Sequence, residues 1–422
     1  MQKKIIEYFI ELTKIPHCSE DADNLLLFLE NFGKERGYIV EIDEAKNILI
    51  KKPNSKLALQ AHYDMVCMGK APNIEVEIED GWMSAKESSL GSDNGIAIAM
   101  MMLLIDRGEV LEFLITSDEE IGLVGASALK FELESNYMLN LDFEDEGEVC
   151  IGCAGGADLL ASKNLNESSL LNYNYRVSVS GLDGGHSGVD IDRGIPNAIK
   201  VLAEYLSDKS VALSSFEGGE RRNSIPASAT AILSSKEKLF ETDMVKIEPI
   251  EEEISVYDSA EFIEFLNQFE DGVYSYNSEF NLPDISLNLA IVNASKREFS
   301  IESSARAMSD DGLHEICQKN IALFDQFGFA HNEEYKYPAW RPEINEFTKR
   351  VYDSMHKVFG KSEYKAIHAG LECGVISEKY PTMKFASIGP TICYPHSTRE
   401  KLKLDSVGKI FEVVEETIHK LY

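Results

Sequence analysis

Three short segments carry the side chains best suited to chemistry. They read LALQAHYDMV at 57–66, LGSDNGIAIAM at 90–100 and LEFLITSDEEIG at 111–122, and they present His62, Asp64, Asp93, Glu119 and Glu120. In each, the polar side chains stand where an apolar run ends or a helix begins. In an α/β protein that is the carboxyl end of the strands, where working residues collect. One His and several carboxylates converging on a sheet edge suit zinc or another divalent ion held for hydrolysis.

Each segment also admits a plainer reading. His62 and Asp64 are two apart, so on a strand they face the same way. His62 can ligate a metal while Asp64 orients a neighbouring group; otherwise the pair is a buried His beside a capping Asp. Asp93, in Gly91-Ser92-Asp93-Asn94-Gly95, reads as a helix N-cap or as a carboxylate free to bridge two cations. Glu119 and Glu120 form either an acidic surface turn or a site that holds a cation, since adjacent ionised acids repel. In the second case one acid ligates and the other takes a proton from water. Asp142 ends the run Leu139-Asn140-Leu141, and His396 follows a strand expected at 382–389. Five strand-terminal acid or His positions in one α/β pattern argue against accident.

The elements needed to position these residues are visible as periodicity. Helix is expected over 1–36 with a break at Pro16, then strands at 38–41, 47–51, 57–61, 111–116 and 137–141. A buried helix is expected at 94–107, opened by Asp93. Strands alternating with helices predict a mixed, mostly parallel sheet with helices on both faces. Near residue 172 the pattern changes to half-buried alternation, as in YRVSVSGL at 175–182, which predicts antiparallel strands. The α/β style returns after YKYPAWRP at 335–342, which reads as a linker. The expected organisation is a catalytic domain over 1–171 and 343–422, interrupted by an inserted α+β lid over 172–342.

Composition sets outer limits. The 422 residues favour two domains over one core. Hydrophobic residues make up 44% and charged residues 27%, as in a globular protein. The net charge of −31 opposes binding to nucleic acid or anionic membranes. No apolar run approaches the ~20 residues of a membrane span, and the amphipathic N-terminus is not a secretory signal, so a cytoplasmic location is expected. Seven scattered Cys predict reduced thiols, with Cys150 and Cys153 a structural pair.

Longer stretches carry a resemblance. LQAHYDMV, SLGSDNGIAIA, TSDEEIGLVGA, LNLDFEDEG, GLDGGHSGVDIDRGIPNAIK, RRNSIPA, IHAGLECG and YPHSTRE run in order from residue 57 to 399. In them the chain resembles the M20 metallopeptidases, and most closely their aminoacyl-histidine dipeptidase branch. The resemblance implies two Zn2+ per subunit, with Mn2+ or Co2+ as substitutes. It implies that Asp93 bridges the ions, that His62 and Asp142 complete one, and that Glu120 and His396 complete the other. Glu119 would be the general base, Asp64 would orient His62, and His186 in the lid would stabilise an oxyanion, reaching a neighbouring subunit of a homodimer. Asn223, Arg306 and Gly370 would bind the dipeptide substrate, Arg306 at its terminal carboxylate. Tyr63 and Phe143 depart from the smaller residues common at these places, and the lid is shorter than in longer members. Two alternatives stay open: an M20 tripeptidase or N-acyl amino-acid deacylase with the same metal centre, and a non-enzymatic acidic metal-binding protein.

Overall fold

The residues of the first sequence segment, Leu57–His62, form the centre of an eight-stranded mixed sheet. The computed structural model describes residues 1–295 and 297–422. The Leu57–His62 strand pairs in parallel with Glu112–Thr116 on one side and Tyr137–Asn140 on the other, and Lys384–Ser387 continues the parallel set. Ile39–Ile42 and Ile48–Lys51 close one edge antiparallel, and Glu148–Cys153 turns antiparallel beyond Lys384–Ser387. The central strand is buried at every position, as parallel strands covered on both faces must be. The parallel register sets the ends of three strands side by side, with His62 opposite Thr116 and Gln60 opposite Asn140.

Chain contacts divide the molecule into two units: 1–153 with 340–366 and 371–422, and 154–339 with 367–370. The division falls earlier than the expected one at 171/172. Strand Gly155–Asn164 accounts for this, because it pairs with Glu298–Ala307 and Ala330–Tyr337 in the second unit. That unit is built on an antiparallel sheet. Its alternating residues, such as Leu159, Val177, Ala231 and Leu289, form one core with the helices Ala198–Leu206, Ala260–Gln268 and Asp310–Gln326. The Ala260–Gln268 helix had no counterpart in the sequence reading. The expected linker at 335–342 is largely ordered pairing: strand Ala330–Tyr337 enters it, and Trp340 exchanges backbone hydrogen bonds with Cys153.

The thiol expectation is corrected at one place. Cys18 and Cys67 form a disulfide across 49 residues. Their segments are brought together by backbone bonds, Met65 N–H to His17 O at 3.0 Å and Ser19 N–H to Met65 O at 3.2 Å. Cysteine count and spacing carry no trace of this pairing. Cys150 and Cys153 are buried on the Glu148–Cys153 strand and form no disulfide. Among the described residues, no helix is long and apolar enough to cross a membrane.

Candidate metal centre

His62 ends its strand with its imidazole fully buried. Nδ1 lies 3.0 Å from the Asp64 carbonyl oxygen and 3.4 Å from its carboxylate. That leaves Nε2 to face outward, 3.2 Å from Asp93 Oδ1 and 3.4 Å from Asp142 Oδ1. On the far side, His396 Nε2 lies 2.9 Å from Asp93 Oδ2 and 2.8 Å from Glu120 Oε2. The two oxygens of Asp93 therefore face one His each.

Local conformation makes this arrangement possible. Asp93 and Asn94 are both non-helical, Asp93 at φ/ψ −84° and 103°, and the regular helix begins after them; the Asp93 oxygens face the two His rings, with no side-chain cap hydrogen bond at this helix start. Gly91, two residues before Asp93, has φ +71°, where a side chain would be strained and its Cβ, 2.8 Å from Met65 Sδ, would push that side chain aside. Glu400 holds the same loop from below. Its carboxylate accepts from the backbone N–H groups of Leu90, Gly91 and Ser92 and from the Ser92 hydroxyl, at 2.6–3.1 Å. His396 has φ +56°, a left-handed value uncommon outside glycine that turns its ring toward Asp93. Asp64 faces away from the cluster centre. Oδ1 accepts from Glu119 N–H at 3.0 Å, and Oδ2 accepts from Ser19 Oγ at 2.7 Å and Glu120 N–H at 3.4 Å. Tyr63, the unusual residue between His62 and Asp64, is buried with its hydroxyl on Lys46 O.

The electrostatics ask for a cation. Burial pushes Glu120 up to about 7 with the Asp93 charge adding to it, and burial with Asp93 takes Asp142 up to about 6. Glu119 is raised well above the carboxylate range by burial and then by Glu120 and Asp142, against the pull of His62. Burial also works against ionised Asp93, but hydrogen bonds from His396 and His62 outweigh it and hold its pKa low. His396 is lifted to about 12 by Asp93 and Glu120, against burial. Acids crowded in this way take up protons unless a cation replaces them. Three groups have ligand atoms close enough to share an ion: His62, Asp93 and Asp142; Asp93, Glu120 and His396; and His62, Glu119 and Glu120. Glu120 Oε1 is buried with no hydrogen-bond partner among the described residues, as a ligand atom would be. The oxygen- and nitrogen-rich donor set fits zinc, manganese or cobalt.

The remaining sequence candidates lie in the second unit. His186 Nδ1 accepts from the N–H groups of Gly188 and Val189 at 3.1 and 3.2 Å. Those two donors put the lone pair on Nδ1 and the proton on Nε2, making Nε2 a donor. His186 pairs with Ser224, next to Asn223, whose carbonyl accepts from Ser187 N–H at 2.8 Å. Asn288 Nδ2 donates to Ser224 O at 2.9 Å, and two residues away Ser286 stands opposite Arg306 in the register. Arg306 is 7% exposed; its Nη1 donates to Tyr337 Oη at 2.9 Å and its Nε is buried with no partner among the described residues. A Cβ on Gly370 would strike the Tyr337 ring at 2.8 Å. Sequence reasoning missed Tyr337, and also His368, whose Nε2 lies 2.7 Å from Ser286 Oγ. The motif IHAGLECG contained His368, but a lone His beside glycine carries no pattern of its own.

No family model matches the chain. It is 32% identical to the cytosol non-specific dipeptidase of Escherichia coli (strain K12), over 98% of this chain and 97% of that one. Among solved structures it resembles the aminoacylhistidine dipeptidase of Vibrio alginolyticus, with TM-score 0.82 and 29% identity over 99% of this chain and 96% of that one. Human carnosine dipeptidase 1 shares the fold at TM-score 0.57 and 12% identity, over 100% and 97% of the two chains.

Proposed function

The chain belongs to the M20 metallopeptidases, in their aminoacyl-histidine dipeptidase branch, and from that premise we propose that it hydrolyses dipeptides, Xaa-His among them, at a pair of divalent ions. The observation that carries this reading is Asp93, with one carboxylate oxygen toward His62 and the other toward His396. We assign His62, Asp93 and Asp142 to one ion and Asp93, Glu120 and His396 to the other, with zinc as the metal. Bound ions of this kind polarise a carbonyl and lower the pKa of a water.

The chain's own residues supply the proton traffic. Glu119, whose pKa burial raises well above the ordinary carboxylate range, takes a proton from the attacking water and returns it to the leaving amine nitrogen. Asp64 holds His62 and the Glu119 backbone in place. For His186 of the second unit we propose the role of oxyanion donor through Nε2 at the site of a neighbouring subunit, a contact worth about 3–4 kcal/mol in other enzymes. Arg306 takes the substrate carboxylate in its planar fork, with Asn223 and Gly370 beside the substrate.

We also assign the chain to the cytoplasm, in keeping with the E. coli relative's name. A homodimer through the second unit is supported by the resemblance and by that sheet's edge strand, Val245–Pro249, with exposed Phe240 and Met244 near it. Sedimentation at micromolar concentration tests the dimer.

The functional test strips the protein with a chelator, reloads it with Zn2+ and assays β-alanyl-histidine, other dipeptides, a tripeptide and an acetylated amino acid. Dipeptides should be cleaved fastest, and Glu119→Ala should abolish turnover while zinc stays bound. Faster cleavage of the tripeptide or the acetylated amino acid would replace this reading with that activity. No hydrolysis by the reloaded protein would remove it.

A further inference from the structure

Behind the candidate ligands the sheet carries a second polar layer that the metal site does not use. Gln60 stands two residues before His62, and Asn140 two before Asp142. Asn140 Nδ2 donates to Gln60 Oε1 at 2.5 Å, and Asn140 Oδ1 accepts from Ser387 Oγ and, at 3.2 Å, from Asp142 N–H. Gln60 Nε2 in turn donates to Thr116 Oγ1 at 3.1 Å and to Glu372 Oε2. Thr116 Oγ1 donates to the same Glu372 oxygen at 2.7 Å. Gln60, Thr116, Asn140, Ser387 and Glu372 are all 0% exposed.

Glu372, the first residue of helix Glu372–Lys379, ends this layer. A fully buried carboxylate contributes little to stability compared with an apolar side chain of the same size. Its place in the layer gives it another task. Oε2 is the one acceptor shared by Gln60 and Thr116, which stand near the ends of the two strands leading to His62 and to Glu119–Glu120. Losing that acceptor leaves the Thr116 hydroxyl only Ala61 O, at 3.1 Å, and takes from the Gln60 amide its contact with Glu372, within three residues of His62 and Glu119. Burial raises the Glu372 pKa to about 7 despite His62 and the hydrogen bonds from Thr116 and Gln60. Oε2 can accept in either protonation state, so the contact survives both.

We propose that Glu372 is a positioning residue for the hydrolytic site, clamping Gln60 and Thr116 so that the strand ends bearing His62 and Glu119–Glu120 keep one relative setting. The proposal rests on the reading of those residues as metal ligands and base. The experiment compares Glu372→Gln, Glu372→Ala and Thr116→Val in the full chain. It measures kcat and KM on a dipeptide and, separately, Zn2+ affinity of the metal-free protein by competition with a chromophoric chelator.

Glu372→Ala should lower kcat by roughly 30-fold or more with KM within threefold, and weaken zinc by at least tenfold, the usual range for groups that orient metal ligands. Glu372→Gln keeps the acceptor and should restore both to within about fivefold, and Thr116→Val should fall between. Native kcat and zinc affinity in Glu372→Ala would overturn the proposal, as would Glu372→Gln being as impaired as Glu372→Ala. Should Glu372→Ala fail to fold, Thr116→Val decides: native values there overturn the clamp, and a joint loss of kcat and zinc affinity supports it. If the native chain cleaves no dipeptide, the functional reading fails while the zinc affinities still judge Glu372.

Discussion

Replacing Asp64 by Asn isolates what its charge does, because the side chain keeps its shape. The carboxylate serves donors on both edges: Glu119 N–H and His62 on Oδ1, Ser19 Oγ and Glu120 N–H on Oδ2. An amide keeps one oxygen. Set toward Glu119 and His62, that oxygen turns the NH2 toward Ser19, whose hydroxyl can rotate to accept, but opposes the Glu120 N–H. The variant therefore loses the Glu120 contact, the charge assistance on the others and the ionic hold on His62. One hydrogen bond to a charged group contributes about 1.5–3 kcal/mol, which at 1.36 kcal/mol per decade corresponds to roughly 10- to 10²-fold. The loss should appear in kcat with KM nearly unchanged, since no substrate contact is removed. Steady-state kinetics on the zinc-loaded variant, with metal content measured on the same sample, gives the answer. A fully loaded Asp64→Asn enzyme with kcat within threefold of native would refute the orienting role.

Three other outcomes follow from the same geometry. Arg306→Met should raise KM for a dipeptide by about 10²-fold, the equivalent of ~3 kcal/mol for a charge-assisted pair of bonds. A carboxyl-amidated dipeptide should show the native enzyme the same penalty and the variant little further change. His368 is held near a pKa of about 3, by burial and then by the Arg306 charge, so it folds neutral. Its contribution to stability is complete above the unfolded value near 6.5 and is lost as pH falls below it, by about 2 kcal/mol between pH 6.5 and 5. Urea midpoints at the two pH values should show this loss, reduced in His368→Gln. Reducing the Cys18–Cys67 disulfide, which closes a loop across 49 residues, should lower the unfolding free energy by up to about 4 kcal/mol. The same urea titration with and without a dithiol measures it, and Cys18→Ser should abolish the difference.

The residues of the candidate cluster were legible because several of them sit where a local apolar pattern ends. An apolar run stops at His62, at Thr116 before the Glu pair, and at Leu141 before Asp142, and the parallel register puts those ends side by side. What supports the cluster was not legible. Ser19, Glu372 and Glu400 are single polar residues 45, 256 and 308 positions from the partners they hold, and nothing in their neighbourhoods marks them. Much of the second unit's sheet escaped for a related reason. Exposed strands such as Ala330–Tyr337 and Val245–Pro249 have too few buried positions to show a period of two. The disulfide escaped because its Cys residues are brought together by backbone pairing between loops.

The charge pattern ties these levels together. Most of the 72 acidic residues keep a soluble surface hydrated, and the net charge of −31 says no more than that. At the metal centre the same residue type behaves differently. Asp64, Asp93, Glu119, Glu120 and Asp142 are packed around two imidazoles, and no Lys or Arg forms an ion pair with any of them among the described residues. Buried carboxylates left to themselves are stabilised by protons, which is what the raised pKa values of Glu119, Glu120 and Asp142 express. Hydrogen bonds from the two His side chains keep Asp93 ionised. The Asp64 pKa is held low, against its burial, by His62 first and then by the Ser19 hydroxyl and the Glu119 N–H. Divalent ions held by these residues would meet the same demand with more charge per site, in place of the protons, and would leave Glu119 available to carry one. Raised pKa values are shared by Glu119, Glu120 and Asp142, so what separates the proposed base from the proposed ligands is place: Glu120 and Asp142 each lie within 3.4 Å of an imidazole that also faces Asp93, and Glu119 does not.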